Sequence, residues 1–390
     1  MKTVTAIFIS GILFILLVDL LFYRVTRSRL RARWTRWLYW SVSLLFVAGI
    51  VGYHAAMPRL TGPGAYFWMG RGMLLLLLYY LPRCSYLAVT LLSLFLKQRP
   101  WIKRTAAILA ALTFFTLLYS TTIGRYQYQI VHVEVEIPGL PAAFNELRVV
   151  QLTDLHLGSY GKSYPGIRKM VEKVNALQPD VVVITGDVIN NFAPELLPWI
   201  DALRKINARL GKYAVTGNHD HGDYTRWPSP EAKEANLRRF FQYMEASGFR
   251  MLNDANQPLA IGEDTLYICG VRNWRKAPLP SYGNVERALQ GTDGHVVVLL
   301  SHDPAYWREE VIHHPVALTL SGHTHAMQMG IQIGNYRWTP AKYFFPEYNG
   351  LYARDDKQLY VSRGIGYLGF PGRIGMRPEI TVLQLTHSKR

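Results

Sequence analysis

Cysteine is nearly missing from this chain. Two occur in 390 residues, Cys84 in an apolar run and Cys269 in a strand-like segment, so a disulfide framework is excluded. Acidic residues are also few, 27 against 43 lysines and arginines, for a net charge of +16. Much of that excess lies between apolar runs. This suits the charge bias of membrane loops better than a nucleic-acid groove, and no nucleic-acid partner is expected. Internal repeats and low-complexity segments are absent. Long apolar runs are almost confined to the first 124 residues, which divides the chain in two.

Val4–Val25 is apolar apart from Asp19 and Arg24. It is too long for a signal-peptide core and has no small-residue cleavage site after it. Trp37–Met57 and Thr105–Gly124 are further spans, each near the roughly 20 residues that cross a hydrocarbon core. Between Tyr66 and Leu96 a longer stretch is interrupted by Pro82-Arg83. It reads as one kinked helix with Arg83 facing other helices or water, the alternative being two short segments. Residues 24–36 carry six arginines and 97–104 four basic residues, whereas 58–72 carry two. Four spans and the positive-inside bias put both termini, and everything after residue 124, on the extracytoplasmic face. Two segments in place of the third span would reverse that. The expected division is a four-helix transmembrane region over 1–124, a linker with an edge strand over 125–144, and a catalytic domain over 145–390.

Beyond residue 124, strands and helices alternate. Gln127–Ile137 alternates polar with apolar residues, the period of a half-buried strand. Buried strands are expected at Leu147–Leu152, Asp180–Thr185, Lys212–Thr216, Thr265–Val271, His295–Leu300 and Val316–Leu320, with two more at 358–362 and 380–385. Helices are expected over 163–177, 195–207 and 231–247. Buried strands alternating with helices indicate an α/β domain with much parallel pairing.

Five of these strands end in residues that can bind metal. They are Asp154 and His156, Asp187, Asn218 and His219, His302, and His323 and His325. Sites in open α/β sheets form at carboxyl ends of strands. Polar residues after one strand are an ordinary loop, but five matched strand ends point to one shared site. Three oxygen donors and four imidazoles suffice for two divalent ions, with a central carboxylate such as Asp187 as bridge. Two such ions can clamp a phosphoryl group and generate hydroxide near neutral pH. Nitrogen and oxygen donors without thiolate suit Mn, Fe or Zn rather than Mg or Ca.

The run Asp154-x-His156, Gly186-Asp187, Gly217-Asn218-His219-Asp220, His302 and Gly322-His323-Thr324-His325 resembles the calcineurin-like metallophosphoesterases, in order and in spacing, over residues 145–387. The tail YVSRGIG…GRIGMRPEITVL resembles the bacterial membrane-associated branch that includes YkuE. The resemblance implies a β-sandwich flanked by helices and a place in the bacterial cytoplasmic membrane. It also implies that Asp154, His156, Asp187 and His325 hold a first metal. Asp187 bridges to a second, which Asn218, His302 and His323 complete. His219 is then the proton donor to the leaving oxygen or a positive neighbour of the phosphate. The family often carries G-D-x-x-D, whereas Gly186-Asp187-Val188-Ile189-Asn190 stands here, so Asn190 is expected to accept a hydrogen bond from His219. Ala326-Met327-Gln328 likewise replaces a common Gly-Gly-Gln.

Weaker signals surround these. Asp220 and His221 either orient His219 or face water. Arg363, Arg373 and Arg377 offer forks for phosphate or serve as structural pairs. Residues 336–352 hold seven aromatics and two prolines, read either as a packed loop or as an interfacial aromatic surface. The leading reading is a membrane-anchored dinuclear metal-dependent hydrolase. Its substrate is a phosphomonoester, phosphodiester or pyrophosphate that is lipid-linked or amphipathic, with membrane lipids as partners. The alternatives are a phosphatase of soluble esters, nucleotides or phosphoproteins that uses its helices only as an anchor, and a non-enzymatic sensor or scaffold. A transporter lacks the intramembrane polar residues of a pathway.

Overall fold

A computed structural model of the chain describes residues 2–28, 30–56, 62–93, 100–161, 165–275, 280–334 and 336–387. Met57, Arg59, Lys97 and Arg99, which belong to the expected spans and loops, lie outside the described residues. Two compact units emerge, Met1–Thr61 with Met69–Thr121, and Gly62–Trp68 with Thr122–Arg390.

The first unit is built on four helices, α1 (Lys2–Thr26), α2 (Arg33–Ala56), α3 (Ala65–Leu92) and α4 (Pro100–Thr122). All four are long and apolar enough to cross a membrane. Helix α3 runs unbroken through Pro82, so the third stretch is one helix. Its Arg83 does face other helices. The guanidinium donates to Asp19 Oδ1 of α1 at 2.6 Å and lies 3.6 Å from the Tyr79 ring centroid. Asp19 is fully buried and also accepts from Ser43 of α2 and from Tyr80 at 3.0 Å. Three helices thus meet at one satisfied carboxylate, the condition under which a charge is tolerated in hydrocarbon.

The second unit holds two six-stranded sheets. The first is formed by β1 (Gln129–Ile137), β2 (Leu147–Leu152), β3 (Val181–Thr185), β4 (Gly211–Val215), β5 (Arg250–Met251) and β14 (Glu379–His387), in the order β1-β14-β2-β3-β4-β5. The second is formed by β6 (Ala255–Ile261), β7 (Asp264–Gly270), β8 (Val296–Leu300), β9 (Leu318–Ser321), β12 (Gly350–Arg354) and β13 (Lys357–Val361), in the order β12-β13-β9-β8-β7-β6. Pairing is parallel from β2 to β5 and from β13 to β7. The inner faces interlock through Val149, Val181, Val183 and Val215 of one sheet and Leu266, Ile268, Val298, Leu300 and Leu320 of the other. The outer face of the first sheet is covered by α5 (Pro165–Ala176), the five-residue α6 (Ile200–Arg204) and α7 (Pro230–Ala246). The outer face of the second carries the short helices α8 (Val285–Ala288) and α9 (Pro304–Glu309).

The expected helix over 195–207 is only partly there. Two 3₁₀ turns, each with a proline in its first turn, precede the short α6. Pro194 and Pro198 lack the N–H that a continuous helix needs. The periodicity did not separate β6, β12 or the β10 (Ile331–Ile333) and β11 (Tyr336–Trp338) hairpin from loops. Cys84 and Cys269 are both free, and burial pushes the Cys269 thiol up to about 12.

Candidate metal centre

The carboxyl ends of β2, β3 and β4 in one sheet and of β8 and β9 in the other converge, bringing Asp154, His156, Asp187, His302, His323 and His325 together, with His219 beside them. The backbone is bent hard to do this. Asp154, His156, Asp187, His323 and His325 all have φ between 49 and 75°. Such left-handed conformations in non-glycine residues cost free energy and gather at functional sites. Close packing explains two of the preceding glycines. A Cβ on Gly217 would collide with Asp187 Oδ1, and one on Gly322 with Thr153 and the Asp154 carboxylate.

Hydrogen bonds fix the imidazoles. The Asn190 Nδ2 amide donates to Ser159 Oγ at 3.0 Å, which turns Oδ1 toward His156 Nδ1 at 2.8 Å. His156 therefore carries its proton on Nδ1 and presents a bare Nε2. His302 donates from Nδ1 to the Thr185 carbonyl at 2.8 Å and also presents Nε2. His219 donates from Nδ1 to the Asn190 carbonyl at 2.9 Å, and its ring stacks on Tyr224 at 4.3 Å. Asn190 thus departs from expectation. Its side chain orients His156, and only its backbone carbonyl orients His219.

The ring nitrogens and carboxylate oxygens of the centre lie close to one another. His156 Nε2 lies 3.0 Å from His325 Nε2, which is 3.3 Å from Asp154 Oδ1. Asp187 Oδ2 is 3.6 Å from His156 Nε2 on one side and 3.1 Å from His302 Nε2 on the other. His323 Nδ1 completes the second group, 3.3 Å from His302 Nε2. Asn218 donates its Nδ2 to the Tyr224 hydroxyl at 2.8 Å, leaving Oδ1 buried with no hydrogen-bond partner. Burial lowers the imidazoles of His156, to about 3, and those of His323 and His325, so all three are neutral with lone pairs available. Burial also pushes Asp187 up, but His302 and His219 outweigh it and hold its carboxyl well below the usual carboxylate range. Neutral imidazoles, an ionised carboxylate between two groups and an orphaned amide oxygen fit two divalent cations.

The surrounding residues sort differently from expectation. Asp220 neither touches the His219 ring nor faces water. Its carboxylate accepts from the Gly217, Val188 and Ile189 N–H groups at 2.8–3.0 Å and ties the loops after β3 and β4 together. His221 stacks on Tyr282 at 4.0 Å and contacts Thr216 Oγ1. Arg363, read either as a phosphate fork or as a structural pair, pairs with Glu379 at 3.0 Å and reaches Gln129 and Gln332. Arg373 reaches the centre, with Nη2 3.4 Å from His325 Nδ1 and a buried Nη1 that has no partner among the described residues. Glu195 escaped the sequence reading altogether. Its buried Oε2 accepts the Asn190 N–H at 2.6 Å and anchors the residue whose side chain contacts His156 and whose carbonyl contacts His219. In the sequence it looked like an ordinary surface residue of the expected 195–207 helix.

Comparison with known proteins gives the same picture. Residues 147–327 match the family model for calcineurin-like phosphoesterase. Residues 5–125 match the model described as probable calcineurin-like phosphoesterase, transmembrane domain. The chain is 32% identical over 294 residues to a transmembrane protein with metallophosphoesterase domain from Danio rerio, covering 72% of this chain and 63% of that one. A protein of the same description from Bos taurus is 34% identical over 66% of this chain and 56% of its own length. The match thus spans less than two thirds of either of these two relatives. The uncharacterized metallophosphoesterase YkuE of Bacillus subtilis is 30% identical over 63% of this chain and 81% of its own.

Proposed function

The chain belongs to the calcineurin-like metallophosphoesterases, and from that premise we propose that it hydrolyses a phosphoester or pyrophosphate bond of a lipid-linked substrate, using two divalent metal ions. One observation carries the dinuclear reading, the sharing of Asp187 Oδ2 between the His156 and His302 sides of the centre. Asp154, His156 and His325 would hold one ion, Asn218, His302 and His323 the other, and Asp187 both. Such ions neutralise charge on the phosphoryl oxygens and polarise the phosphorus for in-line attack. The protein's own contribution is orientation. Asn190, clamped by Glu195, sets two imidazoles, and Asp220 locks the loops that carry Asp187 and Asn218. His219 donates its Nδ1 proton in a hydrogen bond to the Asn190 carbonyl, and would deliver a second proton from Nε2 to the leaving oxygen when the ring is in its doubly protonated form. The free Nη1 of Arg373 supplies a cationic donor for a phosphate oxygen.

The lipid assignment rests on the four spans, because a tethered enzyme meets mainly substrates held in the same membrane. Incubating the purified full chain, loaded with Mn, with a total lipid extract tests it. At least one phosphorylated lipid should disappear as its cleaved products appear. Turnover of soluble aryl phosphates with an unchanged lipid profile would overturn the lipid assignment and leave the helices as an anchor.

We also propose that the catalytic unit lies on the extracytoplasmic face. Continuous α3 supports an even number of spans, and the basic residues concentrate before α2 and around the start of α4. Alkaline phosphatase fused after Arg125 should be active, and a fusion after Arg33 inactive. The opposite pattern would put the site in the cytoplasm.

A further inference from the structure

The hairpin formed by β10 and β11 follows the last ligand, His325, by only a few residues. Its register pairs Ile331 with Trp338, Gln332 with Arg337 and Ile333 with Tyr336. Side chains alternate across strands, so Ile331, Ile333, Tyr336 and Trp338 share one face, and Gln332 with Arg337 the other. Gln332 is held against the body of the unit by Arg363 Nη1 at 3.2 Å. The root is fixed as well, by Gly330 N–H donating to the Ile374 carbonyl at 2.8 Å and Thr339 Oγ1 to the Ala326 carbonyl at 2.6 Å. The apolar face therefore points outward. Ile333 is 73% exposed and Tyr336 62%, and the turn after Pro340 adds Tyr343 at 68% and Phe344 at 69%.

An isolated two-stranded hairpin is marginal in water, and one that turns isoleucines outward gains nothing from that face there. We infer that this face is a membrane-contact surface, whose partner is the headgroup and upper acyl layer of a phospholipid bilayer. Three features select a bilayer over a protein partner. Residues 329–345 contain no acidic residue, and Lys342 beside the exposed Tyr343 offers the charge that anionic headgroups attract. Tyrosine, tryptophan and phenylalanine beside aliphatic side chains are the composition of interfacial segments. The same chain also carries four spans, so a bilayer is the apolar phase always at hand. The patch adjoins the centre through Phe345, whose ring meets His323 edge-on at 6.2 Å. This contact requires no particular substrate.

Photolabelling tests it. The full wild-type chain is reconstituted in nanodiscs of phosphatidylethanolamine and phosphatidylglycerol that contain a phospholipid with a diazirine near the glycerol. Peptides covering 331–344 should be labelled about tenfold above those of α5, an outer-face helix of the same unit, and Ile333→Glu with Tyr336→Glu should remove most of that excess. The readout is lipid contact, so it is separate from the outcome of the lipid hydrolysis screen. Label on the spans with only background on 331–344 would overturn the inference, as would cross-links between two copies through this hairpin in place of lipid. A fluorophore on Ile333→Cys checks the result without the paired substitution. It should be quenched by spin-labelled lipid, and equal quenching at Gln290→Cys would count against the surface.

Discussion

Asp187→Ala should leave the protein without measurable turnover and with less than one metal ion per chain, where the wild-type protein should hold two after loading with Mn, Fe or Zn. The carboxylate is the donor common to both sides of the centre, and its second oxygen does different work. Oδ1 accepts the His219 N–H at 2.9 Å and holds the loop after β4 against the loop after β3. Alanine removes the shared donor and that anchor together. Charge stabilisation by metals is worth several kcal/mol at a transition state, so the loss is about 10³-fold or more. Asp187→Asn is the informative companion, since it keeps the shape and the acceptor for His219 while removing the charge. Elemental analysis beside a rate measurement decides the matter. An alanine variant that still carries two ions and turns over substrate would sink the bridging role.

His219→Ala should behave in the opposite way, retaining both ions while kcat falls by about 10²–10⁴-fold, the usual worth of a general acid. The reason lies in how the ring is held. Its Nδ1 proton is committed to the Asn190 carbonyl and its face to Tyr224, so Nε2 is the one atom left for chemistry. A neighbouring donor group, His156 with Asp187 and His219, leaves room for a rival reading in which His219 is itself a ligand. Two measurements separate these. Metal content stays at two per chain if the ring moves protons and falls if it binds an ion. The defect should also shrink on esters with nitrophenolate leaving groups, which depart without a proton, and persist on alkyl esters. A uniform loss on both substrate types would assign the ring to positioning or ligation.

The spans and the convergence of the Asp and His side chains were legible because each is written in local sequence. A run of some 20 apolar residues has one physical use, and a strand that ends in Asp, Asn or His at a recurring position declares a shared carboxyl edge. Tertiary partners were not legible. Nothing near Asn190 in the sequence says that its amide would turn to His156, because that depends on Ser159, some thirty residues away. Arg363 and Arg373 sit in similar glycine-rich surroundings. One pairs with Glu379 on β14 and the other reaches His325, a choice made by how the chain after β13 packs. Glu195 was concealed for the same reason, being a charged residue near two prolines whose burial appears only when its carboxylate is seen closing on the Asn190 peptide. The hairpin was hidden by its brevity, with three residues per strand.

Strand order bears on how this protein is made. β14 lies between β1 and β2 in the first sheet, parallel to one and antiparallel to the other. Until residues 379–387 have left the ribosome, β1 has no partner and β2 exposes an open edge, although the whole ligand set up to His325 has already been synthesised. A nascent chain can therefore carry every metal donor while its sheet lacks the strand between β1 and β2. For a domain attached to spans that have already entered the bilayer, that interval calls for either a chaperone or a slow approach of the open edges. It also makes emergence of β14, rather than emergence of the donors, the event that completes the first sheet.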